Sequence, residues 1–281
     1  MMKKVLVLLL SLIVLVGCSD GYAKISDDST VLFKVGNENV TKGDVYASMF
    51  SNAGSYATIN GATQTVVNAE IPVTDEMKQE AQSTMDTMAN MYGEMFEQVL
   101  QSNGYKDAED YLNKGLIPSL QAKELYTKYV KENWDTYVTE KNPKKAIVLE
   151  FSDLDKANEA VGKLNEGSTI EDVVKEYEVA SNPSEQIVLA DANYPTEVMT
   201  ALNGEASGEF TALSTTDGKV YVFKLTNSDA ESFKDEVVAQ LITKEEVQTA
   251  TIDFYIKKYE LEIYDRNLYD MIEMSHPEYL K

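Results

Sequence analysis

Few side chains in this chain could carry chemistry, because its 281 residues include one histidine and one cysteine. A Ser-His-Asp triad would have to use His276, which lies five residues from the end. Zinc sites built from Cys and His need several such ligands, and a disulfide within the chain needs a second cysteine. Acidic pairs such as Asp75-Glu76 lack the spacing around a glycine that a calcium loop requires. The sequence therefore predicts no metal, no cofactor and no catalytic triad.

The cysteine, Cys18, comes directly after an apolar N-terminal segment. Residues 1–17 contain two lysines and then an apolar run that is shorter than the ~20 residues needed to span a membrane. This pattern is typical of a secretory signal peptide. The last residues, Leu15-Val16-Gly17-Cys18, resemble the bacterial lipobox, in which the cysteine thiol receives a diacylglycerol and becomes the first residue of a palmitate-bearing lipoprotein. The alternative is a buried cysteine in an uncleaved anchor helix.

The chain is strongly acidic, with 47 Asp and Glu against 25 Lys and Arg and a formal net charge of −22. A nucleic-acid-binding protein needs a cationic surface that neutralises phosphates, so this class of partner is excluded. Hydrophobic residues make up 43% of the chain, which is enough to form a substantial core. Residues 18–29 are short and polar, and we interpret them as a tether between the lipid and the folded protein.

Helical periodicity dominates residues 30–143. Thr41 is a favourable N-cap for a helix over about 42–50, whereas residues 51–73, rich in Ser, Asn, Ala, Gly and Thr, are predicted to form a long loop. Thr74 begins a second helix, in which apolar residues recur at steps of three and four. Four methionines on that stripe are predicted to be core residues: Met77, Met85, Met88 and Met95.

The pattern changes at Lys144. Residues 144–227 combine short apolar runs with short amphipathic helices in the order βααβαβ. Residues 228–281 are helical again, apart from a short strand predicted to start near Leu261. The sequence thus predicts an α+β protein in which two helical segments, 30–143 and 228–281, flank a small α+β domain.

The α+β segment resembles a parvulin-type prolyl isomerase domain. The similar stretches are an Ala-rich helix with a Leu-x-x-Gly step, a third helix with a Gly-x-x-Ser turn, and a last strand: Asp155–Tyr177, Glu197–Gly208 and Gly218–Lys224. The flanks resemble the start, the C-terminal helix and the closing strand of PrsA and SurA chaperone domains: Phe33–Asp44, Phe233–Leu241 and Leu261–Leu268. The resemblance implies a helical chaperone domain formed by both chain ends, with the parvulin-like unit inserted between them.

The parvulin-like unit departs from its family at the active site. Parvulins carry two facing histidines, one on the first strand and one on the last, and the corresponding positions here fall near Ala146 and Tyr221. Neither position is a histidine. Without the pair, much of the preorganised network that favours the twisted amide is missing. The resemblance therefore implies a catalytically degenerate unit, and the alternative is an isomerase that uses an unusual apolar pocket.

Two sets of apolar side chains are candidates for binding unfolded polypeptides. Met91 lies off the methionine stripe and is predicted to face solvent, where a flexible side chain suits promiscuous binding. Tyr126, Trp134 and Tyr137 cluster on the helix that ends near Val138, and they could line a groove. The alternative for these aromatics is packing against the C-terminal helical segment.

The resemblance as a whole implies a lipid-anchored foldase on the outer face of a bacterial membrane that assists the folding of secreted proteins. Its partners would be unfolded polypeptides and, through the diacylglycerol on Cys18, the membrane, and the resemblance also allows a homodimer. Two other classes stay open, an active prolyl isomerase and a solute-binding transport lipoprotein. The latter class uses repeated βα units in two lobes, which this pattern does not favour.

Overall fold

The computed structural model describes residues 25–179, 184–204 and 208–280. The predicted signal peptide and Cys18 lie outside the described residues. Among the helices described, none is both long enough and apolar enough to cross a membrane. The strands are β1 (Val31–Val35), β2 (Glu38–Thr41), β3 (Lys144–Phe151), β4 (Gln186–Val188), β5 (Thr211–Ser214) and β6 (Val220–Asn227). The α-helices are α1 (Lys42–Glu70), α2 (Asp75–Tyr92), α3 (Phe96–Ser102), α4 (Ala108–Tyr111), α5 (Ile117–Glu132), α6 (Trp134–Lys141), α7 (Leu154–Asn165), α8 (Ile170–Glu176), α9 (Thr196–Leu202), α10 (Lys234–Leu241), α11 (Glu245–Lys258) and α12 (Arg266–Ser275).

The chain divides into two compact units. The terminal unit consists of the described residues up to Leu125 together with those from Thr249 onward, and the inserted unit is Tyr126–Gln248. The main sheet of the inserted unit begins at Lys144 and ends at Asn227. The inserted unit therefore also contains helical residues on both sides of the predicted α+β domain.

The 29-residue helix α1 replaces the loop predicted for residues 51–73. It begins at a capping box, in which the Thr41 hydroxyl accepts a hydrogen bond from the Asp44 amide and the Asp44 carboxylate accepts one from the Thr41 amide. Its many Ser, Thr, Asn and Gly residues have low helix propensity, which is why the sequence favoured a loop. Packing against α12 compensates, because Gly54 leaves room for Met271, whose sulfur would lie 3.4 Å from a Cβ at that position.

Residues from elsewhere in the terminal unit hold the C-terminal end of α1. The Glu70 carboxylate accepts hydrogen bonds from the Tyr259 hydroxyl at 3.0 Å and from the Lys258 ammonium. The buried side-chain amide of Gln121 donates to the carbonyl of Ile71 at 2.6 Å. The Gln121 bond satisfies a backbone carbonyl at the helix end that would otherwise lack a partner within the helix.

Both ends of the terminal unit differ from the sequence-based interpretation. Hydrogen-bonded structure begins before β1, because the Asp28 carbonyl accepts from the Gly43 amide and the Ser26 carbonyl accepts from the Lys42 ammonium, each at 2.8 Å. The strand predicted to start near Leu261 is wrong, since residues 261–265 form no regular element and α12 follows directly. Too few apolar residues alternate there to specify a strand.

The inserted unit contains a four-stranded antiparallel sheet with the strand order β4-β3-β6-β5. Successive side chains of β3 point to opposite faces. Ile147 and Leu149 pack against α7 and α8, whereas Ala146 and Val148 pack against α9 on the other face. The predicted order βααβαβ lacked one strand, because β5 has four residues, Thr211–Ser214, which are too few to show a period of two.

A second core in the inserted unit joins the flanking helices to the end of β4. Asp191, just after that strand, accepts from the ammonium groups of Lys141 and Lys244, both at 3.0 Å. The buried apolar members of this core come from before, within and after the sheet region: Val130, Trp134, Tyr137, Leu189, Ala230, Phe233, Val237, Val238, Leu241, Ile242 and Val247.

Candidate functional site

The sheet face that carries the two predicted isomerase positions is the first candidate site. Ala146 pairs with Leu225, and Tyr221 pairs with Glu150, so the two positions share a face but lie four ladder positions apart. At a rise of ~3.3 Å per residue this is a separation of roughly 13 Å. The residue that faces Tyr221 is Glu150, whose carboxylate accepts a hydrogen bond from the Tyr221 hydroxyl at 3.3 Å. Glu150 lies four residues after Ala146, so the alternation of side chains along a strand places both on one face. This spacing could have identified Glu150 from the sequence.

The groups around Tyr221 form a polar and aromatic network. The Lys219 ammonium lies 2.9 Å from the Glu150 carboxylate, and the Tyr194 ring meets the Tyr221 ring edge-on with centroids 6.3 Å apart. The side-chain amide of Gln186 donates to the Tyr194 hydroxyl at 2.5 Å. Burial raises the pKa of Tyr221, to which the Glu150 charge adds, and burial also raises the pKa of Tyr194. Both phenols therefore stay protonated near neutral pH, but Tyr221 is buried and its hydroxyl is bound to Glu150, which leaves it little surface for a ligand.

The histidine is remote in sequence from this network. His276 follows α12 in the terminal unit, where its ring stacks on Tyr279 with centroids 5.2 Å apart and its Nδ1 lies 3.2 Å from the Glu278 carboxylate. The inserted unit, residues 126–248, contains no histidine. Across the part of the chain that the structure describes, no three or more Cys, His, Asp and Glu side chains are gathered so as to hold a metal ion.

The four predicted polypeptide-binding residues lie in different environments. Met91 on α2 is 73% exposed, as the sequence predicted for it. Trp134 and Tyr137 are 7% and 9% exposed, and Tyr126 is partly buried against the same core. Burial leaves Trp134 and Tyr137 without the exposed surface that a binding groove needs. They belong to the same buried cluster as side chains of α10, which agrees with the alternative of packing against the C-terminal segment.

The methionine stripe is less buried than predicted. Met77, Met85 and Met88 are partly buried on α2. The prediction that Met95 is a core residue is wrong, because its side chain is 61% exposed. The helix ends at Gly93, which has a φ of +53°, and the change of direction there breaks the helical spacing that placed Met95 on the stripe.

A groove along α1, here named the α1 groove, is the second candidate site. It consists of two cavities of about 370 and 560 Å³ that share Ala57 and Thr58. Small side chains of α1 leave the space open. The first cavity lies between α1 and the chain after Ile256, and the second lies beside Met49 and Phe50.

The α1 groove combines an apolar floor with carboxylates at one end. Glu260 and Glu262 line the first cavity together with Leu261 and Val66. Such a site fits an apolar segment that also carries a basic side chain. Sequence reasoning missed the groove because it assigned these residues to a loop. The steps of four that join small residues, as between Ala57 and Gly61, were the available signal.

The fold and these sites define an α+β protein in which a helical unit from both chain ends carries an inserted unit with a four-stranded antiparallel sheet. No protein-family profile matches the chain. The chain is 25% identical to the foldase protein PrsA of Geobacillus kaustophilus in an alignment of 281 residues, which covers 94% of this chain and 95% of that protein. It is 24% identical to the foldase protein PrsA of a second Geobacillus strain over 258 residues, which covers 88% of this chain and 92% of that one.

The fold also resembles that of solved structures. The peptidylprolyl isomerase PrsA from Bacillus cereus superposes with a TM-score of 0.52 at 17% identity, and the match covers 89% of this chain and 99% of that chain. The predicted α+β fold and the predicted resemblance to PrsA-type foldases are therefore confirmed.

Proposed function

We propose that this chain is a foldase that holds unfolded polypeptides at the outer face of a bacterial membrane. The α1 groove is the observation that carries the proposal, because it offers an open apolar surface in a strongly acidic chain. Similarity to PrsA foldases over nearly the full length supports it. The bound segment is apolar with basic side chains, which complement Glu260 and Glu262. Met91 adds exposed apolar surface in the same unit.

The parvulin-like unit serves in this proposal as a structural or polypeptide-binding module without strong catalysis. The positions near Ala146 and Tyr221 lack the paired histidines, and the Tyr221 hydroxyl is engaged by Glu150. The second candidate function is an active prolyl isomerase, which the Bacillus cereus structure is named as. A solute-binding lipoprotein is disfavoured, because the described sheets are one hairpin and one antiparallel sheet rather than repeated βα units.

Two assays separate these functions in the soluble chain that starts at Ser19. The first follows light scattering of an aggregating unfolded client, and the second follows a proline-limited refolding reaction. Suppressed aggregation with an unchanged slow refolding phase is expected. A strongly accelerated slow phase would show that the chain is an active prolyl isomerase. No effect in either assay would contradict the proposed foldase function.

A groove-filling variant tests the binding surface itself. Ala57→Phe places a ring where the two cavities meet, so it should raise the chain concentration needed to suppress aggregation about tenfold. Ala69→Phe adds the same ring to an exposed position of the same helix, outside both cavities, and should leave the suppression unchanged. Equal losses in both variants would show that the α1 groove is not the binding surface.

The membrane anchor in this proposal is a diacylglycerol on Cys18, whose two acyl chains suffice for stable anchoring. In a bacterial host, the wild-type chain should fractionate with membranes and incorporate labelled palmitate, and Cys18→Ser should do neither. Membrane association of the serine variant would indicate an uncleaved anchor helix instead.

The homodimer is tested by sedimentation velocity, which should show a species of twice the chain mass.

A further inference from the structure

A second pocket, here named the amide pocket, opens in the terminal unit beside the C-terminal end of α1. Its volume is about 550 Å³. It lies among α1, the start of α2, the π-helical turn Leu112–Leu116 and α5. The described residues that line it include no carboxylate, although the chain has 47 acidic residues. The polar side chains in its lining are four amides and two lysines: Gln64, Asn68, Asn113, Gln121, Lys78 and Lys114.

The covalent and hydrogen-bonded framework fixes the shape of this pocket. Gln121 is 3% exposed and is held by its bond to the Ile71 carbonyl. Pro118 has no amide hydrogen, so it cannot bond to the carbonyl of Lys114, and the chain forms the wider π-helical turn just before it. That turn carries Asn113 and Lys114 into the wall of the pocket. Single π-helical turns occur frequently at functional sites.

The two lysines of the amide pocket can each hold a further anion. The Lys78 ammonium lies 2.9 Å from Asp75, and the Lys114 ammonium lies 2.5 Å from Asp110. Each pair joins residues three or four apart, and both lysine side chains are exposed, whereas Asp110 is largely buried. An ammonium group has three donors, so a ligand carboxylate need not displace either aspartate.

One face of α1 lines both the α1 groove and the amide pocket. Ala57, Gly61, Gln64 and Asn68 follow each other at steps of four, three and four, which places them on one side of a helix. The first two line the α1 groove, and the last two line the amide pocket. A segment that runs along this face passes from a cavity lined by two glutamates to a pocket lined by two lysines.

We infer that the amide pocket binds a carboxylate-bearing stretch of the same polypeptide that occupies the α1 groove. An amide nitrogen carries two donors, so Gln64, which donates to Asn68, and Asn113, which donates to the Glu109 carbonyl, each keep one for a peptide backbone. The two ammonium groups match an Asp, Glu or C-terminal carboxylate. The inference rests on the proposed foldase function and specifies its substrate further: an apolar segment with basic side chains in the α1 groove, continued by an acidic stretch in the amide pocket.

The test uses the full chain in lipid nanodiscs and two fluorescent twelve-residue peptides. Both peptides have the same apolar half, and the other half contains either Glu or Gln at the same positions. Fluorescence anisotropy gives the ratio of the two dissociation constants for the wild type and for Lys78→Gln with Lys114→Gln. The matched control, Lys34→Gln with Lys106→Gln, removes the same charge from the terminal unit outside the pocket.

In the pocket variant, the dissociation constant of the Glu peptide should rise about fivefold relative to that of the Gln peptide. In the control variant, the ratio of the two constants should change less than about 1.5-fold. Equal shifts in both variants, or none in the pocket variant, would overturn the inference while leaving the foldase function intact. A wild-type chain that binds neither peptide would overturn both. Thermal melts of the variants confirm that each retains the fold.

Discussion

Trp134 is the residue at which a binding role and a packing role predict opposite results. Its ring is buried in the second core of the inserted unit, its Nε1 donates to the Glu231 carboxylate at 2.6 Å, and the Lys234 ammonium lies 4.8 Å from the ring centroid. Trp134→Ala should therefore lower the free energy of unfolding by about 3–5 kcal/mol, the usual effect of truncating a buried large aromatic. Urea unfolding followed by circular dichroism measures the loss.

Trp134→Phe is the control for this change, because it keeps a ring in the core and should lose less stability than the alanine variant. Since the chain has a single tryptophan, its fluorescence in the wild type reports on the inserted unit alone. An alanine variant of unchanged stability but weaker client binding would restore the groove interpretation of this aromatic cluster.

The buried phenol of Tyr137 should make the stability of the inserted unit depend on pH in the alkaline range. Burial, with smaller contributions from Tyr129 and Glu140, raises the pKa of Tyr137 to about 12. An unfolded tyrosine ionises near pH 10, so between these values the folded state holds the proton more tightly and the free energy of unfolding falls as pH rises. Urea midpoints measured from pH 8 to pH 11.5 should fall more steeply in the wild type than in Tyr137→Phe.

Other buried tyrosines keep part of this alkaline dependence in the variant. Burial also raises the pKa of Tyr126 and Tyr194. Tyr137→Phe should therefore reduce, without removing, the fall of the urea midpoint with rising pH. Identical slopes in the two proteins would show that the Tyr137 phenol is as free to ionise in the folded state as in the unfolded one.

At the scale of the elements, the helix starts were the most predictable feature. The Thr41 and Thr74 side chains accept hydrogen bonds from the amides of Asp44 and Met77, as expected of N-caps. The course of α1 through residues 51–70 could not be predicted, because its propensity is low and its stability comes from contacts distant in sequence. The α1 groove was missed for the same reason, whereas the positions near Ala146 on β3 and Tyr221 on β6 came from the resemblance to parvulins.

The extent of the inserted unit leads to a prediction about fragments. Its second core takes Trp134 and Tyr137 from before the sheet and Phe233 and Leu241 from after it, and these residues cover Leu189. The fragment Tyr126–Gln248 should unfold in one cooperative transition. The fragment Lys144–Asn227 lacks most of this core, so it should be less stable by several kcal/mol or fail to fold. Urea titrations of both fragments by circular dichroism make the comparison.

The fragment comparison also tests the sequence-based domain boundaries at 144 and 227. If the shorter fragment were as stable as the longer one, the parvulin-like domain would be the folding unit, and the flanking helices would only cover it.

A substitution of Asp191 by Asn provides a milder probe in the longer fragment. It weakens the ion pairs with Lys141 and Lys244 while keeping the side-chain volume, and it should lower stability by about 1 kcal/mol.

The net charge of the whole molecule should affect the rate at which polypeptides associate with it. A formal net charge of −22 produces a negative potential that attracts basic segments before any contact forms and repels acidic ones. The Debye length falls from ~10 Å at 0.1 M salt to ~3 Å at 1 M, so this long-range effect should disappear at high salt. The amide pocket acts only at contact distance, and its preference for a carboxylate operates against the long-range field.

Stopped-flow fluorescence separates the two effects for apolar peptides that carry either three lysines or three glutamates. At 20 mM salt the association rate constant of the basic peptide should exceed that of the acidic one by at least about tenfold, and at 500 mM salt the two should agree within about twofold. The dissociation rates should change less, because short-range contacts determine them. Rates that do not depend on salt would show that the charge of the molecule maintains solubility and has no part in the capture of clients.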